Sequence, residues 1–78
     1  MIFFEKGEMI TLNDSVHEYL CILDGDQHGI EKVLQKEILV FVEKLVHGKW
    51  LSRALHRGKI VLIDPRAFIS QNSTNNNT

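Results

Sequence analysis

Seven apolar residues, Ile30, Val33, Leu34, Ile38, Phe41, Val42 and Leu45, recur at intervals of three, one, four, three, one and three. Such intervals return to one side of a 3.6-residue turn, so the spacing predicts an amphipathic helix over 30–46, about 25 Å long at 1.5 Å per residue. In a chain of 78 residues, that helix would be the spine of the single core there is room for. One residue conflicts with the scheme. Leu39 projects into the middle of the polar face made by Glu31, Lys32, Gln35 and Lys36, where a monomer would carry a polar side chain. The expectation therefore needs something to cover Leu39 and its neighbour Val40, either another element of the same chain or a homodimer partner meeting an oligomer interface at those two residues.

The flanks extend the reading. Residues 2–4 and 9–12 are apolar around Glu5-Lys6-Gly7-Glu8, which predicts an N-terminal β-hairpin. Thr11 and Asp14 form a capping pair for a first helix over 12–23, with Leu12, Val16, Tyr19, Leu20 and Leu23 on one face. After a break at His47-Gly48, Trp50, Leu51, Ala54 and Leu55 oppose Lys49, Arg53, His56 and Arg57, a basic amphipathic helix over 49–57 with Gly58 as its C-terminal cap. Lys59 to Ile63 is short and β-branched enough for a strand, and Asp64-Pro65 caps a last helical turn. The expected class is α+β and mostly helical: a hairpin, helices at 12–23, 30–46 and 49–57, a short C-terminal strand at 59–63 and a helical turn. Residues 1–70 form one small domain, and 71–78, which hold no apolar residue, form a disordered polar tail.

Charge is divided between the halves of the chain. Residues 1–42 carry three basic and eight acidic side chains, a sum of -5, while 43–70 carry six and two, a sum of +4. That asymmetry is what a surface for an anionic partner looks like. A single cysteine excludes an internal disulfide, and with no leader-like start and no apolar run near the roughly 20 residues of a membrane span, the expectation is a soluble, cytoplasmic protein without a membrane partner.

Few motifs carry chemistry. The loop Asp24-Gly25-Asp26-Gln27-His28-Gly29 imitates the start of a calcium loop, but the twelfth position, which needs a bidentate carboxylate, is Gln35. His17 and Cys21 are four apart, and two ligands do not make a metal site. No cofactor, no metal and no catalytic residue is expected, and a metal- or thiol-dependent enzyme is the remote alternative. The helix, tight turn and basic helix across 45–57 resemble helix-turn-helix geometry, with the following strand as part of a wing. The leading expectation is a small, non-enzymatic, homodimeric regulatory protein that binds nucleic acid, DNA first, or an acidic protein through Lys44, Lys49, Arg53, His56, Arg57 and Lys59. Two rivals remain open. In one the basic face pairs with the acidic half of its own chain or of a dimer mate; in the other the protein is an adaptor or inhibitor acting through an apolar surface near Leu39.

Overall fold

The computed structural model describes residues 4–45 and 51–71, and of 26–28 it describes the backbone alone. The mostly helical expectation is overturned: the described chain is one antiparallel sheet of seven strands curled into a half-barrel, and its only helical element is a 3-10 turn at Pro65–Ala67. The strands are β1 (Met9–Leu12), β2 (Glu18–Leu23), β3 (Asp26–Leu34), β4 (Leu39–Lys44), β5 (Ser52–His56), β6 (Lys59–Ile63) and β7 (Phe68–Ser70). Their spatial order is β3-β2-β6-β5-β4-β1-β7, so β3 and β7 are the edges.

The expected helices fail for identifiable reasons. The helix at 30–46 divides into the end of β3, a turn and β4. Lys36 breaks it at a φ of 74°, a left-handed conformation that no helix interior accepts. The helix at 12–23 becomes β2 after a turn in which the Asn13 carbonyl accepts from the Val16 N–H at 2.9 Å. Ser52, Ala54 and His56 are buried while Arg53 and Leu55 turn outward, which is the two-residue period of a strand where a basic helix was expected. Arg57 at a φ of 54° and Gly58 at 80° then form a two-residue hairpin turn between His56 and Lys59, the geometry in which both central residues are left-handed. Gly58 is therefore a turn residue, not a helix cap.

Parts of the expected scheme lie where they were read. The strand at 59–63 is β6, and the Asp64 side chain accepts from the Arg66 N–H at 3.0 Å as it caps the 3-10 turn. The turn at Glu5 to Glu8 forms, with Gly7 at a φ of 87°. It does not close a hairpin onto β1, however, because β4 and β7 occupy both edges of that strand. Residues 2 and 3, the start of the basic segment at Lys49 and Trp50, and the tail from 72 onward lie outside the described residues.

All seven strands feed one core. Ile10, Leu12, Val33, Leu39, Val61, Ile63 and Phe68 are each at most 2% exposed, joined by Ala54, Cys21 and Phe41. Full burial of such aliphatic and aromatic side chains stabilises by about 1.5–3 kcal/mol each before chain entropy is counted. The curl brings distant strands into contact. Tyr19 of β2 meets Phe68 of β7 edge to face at 5.4 Å, and its hydroxyl accepts from the Asp64 N–H at 2.8 Å. The Gln35 amide donates to the carbonyls of Asn13, at 3.0 Å, and Val16. These contacts fold the β2–β3 hairpin over the concave face.

Candidate functional site

His56 is the polar centre of that concave face. It is 1% exposed, with Nδ1 3.1 Å from a Glu31 carboxylate oxygen on β3 and Nε2 3.2 Å from one of Glu37 in the β3–β4 turn. Carboxylates only accept, so each contact takes an N–H from the ring or a proton on the acid. Arg57 donates to Glu37 at 2.5 Å, and the Lys59 ammonium lies 3.8 Å from Glu31. Glu37 also accepts from the Leu34 N–H at 2.8 Å. That backbone bond first, with the Arg57 and His56 bonds after it, holds the Glu37 carboxyl below the usual carboxylate range. The cluster ties the β5–β6 hairpin to β3. It cannot hold one metal ion, because Glu31 and Glu37 lie against opposite nitrogens of the ring, and no group of three or more His, Cys, Asp and Glu side chains suited to a metal occurs among the described residues.

The remaining residues expected to bind an anion are distributed differently. Arg53 donates to Asp24 at 2.7 Å and to Glu43 at 2.5 Å, and these two partners push its already high pKa up. Lys44 is exposed at the end of β4, and Lys49 lies outside the described residues. Arg53 points to the convex face and His56 to the concave face, so the helix-based grouping of the basic residues does not exist. Arg53, Arg57 and Lys59 each pair with acids from other strands or turns, chiefly from the acidic half of the chain. The calcium-like loop is in part the β2–β3 hairpin turn, with Gly25 at a φ of 89° and Asp24 engaged by Arg53.

Leu39 is fully buried between β1 and β5 as a core residue, and its side chain presents no surface to a partner. The misfit on the expected helix marked a strand, not an interface. Val40 turns the other way and is half-buried on the convex face. Cys21 is 4% exposed, and its thiol donates to the Glu31 carbonyl at 3.4 Å. Burial, followed by the Glu31 charge, pushes it up to about 11, the opposite of what a nucleophile needs.

The surface that sequence reasoning missed is the convex face of the sheet. Register fixes its rows, because paired residues on adjacent strands share a face. One row runs Ile30, Ile22, Leu62 across β3, β2 and β6, ending at Arg53. The next runs Ile60, Leu55, Val40, Met9 across β6, β5, β4 and β1. Leu20 flanks the first row. Ile30 is 67% exposed, Leu20 60%, Met9 52%, Ile22 49% and Leu55 38%. With strands about 4.8 Å apart, the second row alone spans about 14 Å. The Lys32–Glu18 pair bounds the face on one side and the Arg53–Asp24–Glu43 triad on another.

A shallow groove of about 310 Å³ lies between Thr11, Asp14, Gln35, Lys36, Ile38 and Ile69, at the small end of the range for ligand sites. No helix among the described residues is long and apolar enough to cross a membrane. Comparison with protein-family models, with curated proteins and with solved structures gives no match for this chain.

Proposed function

We propose that the chain is a non-enzymatic protein-docking module whose contact surface is the convex apolar face of the sheet. The observation that carries this reading is the unbroken pair of rows through Ile30, Ile22 and Leu62 and through Ile60, Leu55, Val40 and Met9, five of whose members or neighbours are more than a third exposed. Contiguous apolar surface rimmed by ion pairs is the usual anatomy of a protein contact, with its apolar centre and polar edge. Nucleic-acid binding has less support. Arg53, Arg57 and Lys59 are already neutralised by Asp24, Glu43, Glu37 and Glu31, and a phosphate would have to displace those carboxylates. The non-enzymatic part of the reading draws on the buried, high-pKa thiol of Cys21 and on His56, whose two ring nitrogens are both occupied.

The test compares three tagged proteins expressed in the source cells: wild type, the face variant Ile22→Lys with Leu55→Lys, and the basic variant Arg57→Ala with Lys59→Ala. The reading expects the same protein to be retained by wild type and by the basic variant and lost from the face variant, with all three equally folded by circular dichroism. It is overturned if the face variant keeps every partner. It is also overturned if fluorescence anisotropy at low salt detects duplex DNA or RNA binding that the basic variant abolishes.

A further inference from the structure

We infer that the Glu31–His56–Glu37 cluster is a proton-binding site: folding lodges one proton between His56 Nδ1 and the Glu31 carboxylate, and that proton clamps β3 to the β5–β6 hairpin. The ring lies inside the curl of the sheet, 1% exposed, with Nδ1 3.1 Å from Oε2 of Glu31 and Nε2 3.2 Å from Oε1 of Glu37. Both are direct hydrogen-bond distances, too short for an intervening water. A neutral imidazole has one N–H and one bare nitrogen, and an ionised carboxylate only accepts. A neutral ring between two carboxylates therefore satisfies one of them and sets a lone pair against the other.

Glu37 decides which contact is short of a proton. Its Oε1 also accepts from the Leu34 N–H at 2.8 Å, and that bond first, with the Arg57 and His56 bonds after it, holds its carboxyl below the usual range. Glu37 thus stays a carboxylate and takes the N–H of Nε2. Nδ1 and Glu31 Oε2 are left as two acceptors face to face, beside a ring with no access to water, and unmet buried acceptors are costly. One further proton resolves the contact. Imidazolium beside carboxylate and bare Nδ1 beside carboxylic acid are two placements of that same proton, and the count is equal in both.

The other charged and titratable groups packed around the ring do not replace it. The Lys59 ammonium of β6 lies 3.8 Å from Oε1 of Glu31, and Arg57 of the β5–β6 turn donates to Oε2 of Glu37. Each cation engages the outer oxygen of its acid and leaves the inner one to the ring. On β2 the Cys21 thiol donates to the Glu31 backbone carbonyl, not to its carboxylate. Above about pH 6.5 an unfolded histidine is neutral, so there the folded chain holds one proton that the unfolded chain lacks. Stability from the cluster is then complete below that value and falls as pH rises, approaching tenfold in the folding constant per pH unit for one proton. Cys21 adds little to this slope below about pH 8, since its thiol, pushed up to about 11 by folding, is mostly protonated in both states there.

Urea unfolding between about pH 6.5 and about pH 8 compares wild type with Glu31→Gln. In the variant the side-chain amide donates to a bare Nδ1, so the contact is met by a neutral ring and no extra proton is taken up. The folding constant of wild type should fall nearly tenfold per pH unit toward the upper end of the window, while that of Glu31→Gln stays level to within about twofold. Equal slopes overturn the inference. Calorimetric unfolding of wild type at about pH 7.5, in two buffers of different ionisation enthalpy, counts the same proton with no substitution at all. Release of about one proton on unfolding is expected, and release of none overturns the inference even where Glu31→Gln does not fold.

Discussion

Leu39 and Ile30 exchange roles between the helical expectation and the sheet, so replacing each by alanine separates the two accounts with opposite signs. On a helix over 30–46, Ile30 belongs to the core stripe and Leu39 to the polar face. In the sheet Leu39 is 0% exposed between Ile10 of β1 and the β5 strand, and Ile30 is 67% exposed. Leu39→Ala removes three buried carbons and leaves a cavity in a core shared by all seven strands. Comparable core truncations cost about 2–5 kcal/mol. A 78-residue domain at about 0.05–0.15 kcal/mol per residue has about 4–12 kcal/mol in total. The variant should therefore lose a large fraction of its stability, and its melting temperature should fall by at least about 8 °C, at about 4–8 °C per kcal/mol for a domain of this size. Ile30→Ala should stay within about 0.5 kcal/mol in dilute solution, as exposed substitutions do. Urea unfolding followed by far-ultraviolet circular dichroism at low protein concentration measures both. If Ile30→Ala is the more destabilising of the two, the strand assignment of 26–44 is refuted.

Ser52 is 1% exposed and its hydroxyl has no hydrogen-bond partner, so Ser52→Ala should raise stability by about 1 kcal/mol in the same urea assay, because an unpaired buried hydroxyl costs about 1–3 kcal/mol. Glu37, Glu8 and Asp64 all have carboxyl pKa values lowered by folding, so the stability they contribute is present above the unfolded values, about 4.3 for Glu and about 3.9 for Asp, and lost as pH falls through the folded values. Melting temperature should drop on acidification below those values, and Glu37→Gln should flatten the drop. With its thiol pushed up to about 11 and only 4% exposed, Cys21 should react with a thiol reagent at pH 8 no faster than the chain unfolds.

The sequence revealed the pieces that depend on local chemistry. The turn at Gly7, the capped turn at Asp64-Pro65 and the β-branched run of β6 rest on few neighbouring residues and stand where they were read. β2 and β4 were hidden because much of their convex side is apolar too. A strand with one wet face alternates apolar and polar residues, but Leu20 to Leu23 and Leu39 to Val42 are continuously apolar, and continuous runs fit a helix as readily as a strand. The property that marks the docking surface is thus the one that concealed the fold. Leu39 was the available warning: a large apolar residue on a polar helical face is better explained by a different period than by an unseen partner. Arg57-Gly58 between His56 and Lys59 was another, as a two-residue glycine-containing step between apolar runs. The His56 cluster was not legible at all, since Glu31, Glu37 and His56 come together only when the sheet curls.

The most direct test of the convex face as the contact surface is a titration of the labelled chain with the protein that the capture experiment retains, followed in amide spectra by nuclear magnetic resonance. The account predicts that resonances of Leu20, Ile22, Ile30, Lys32 and Leu55 shift together and saturably while those of Arg57 and Glu37 stay fixed. Shifts centred on Arg57 and Lys59, or none at any concentration with no loss of partners in the face variant, would contradict it.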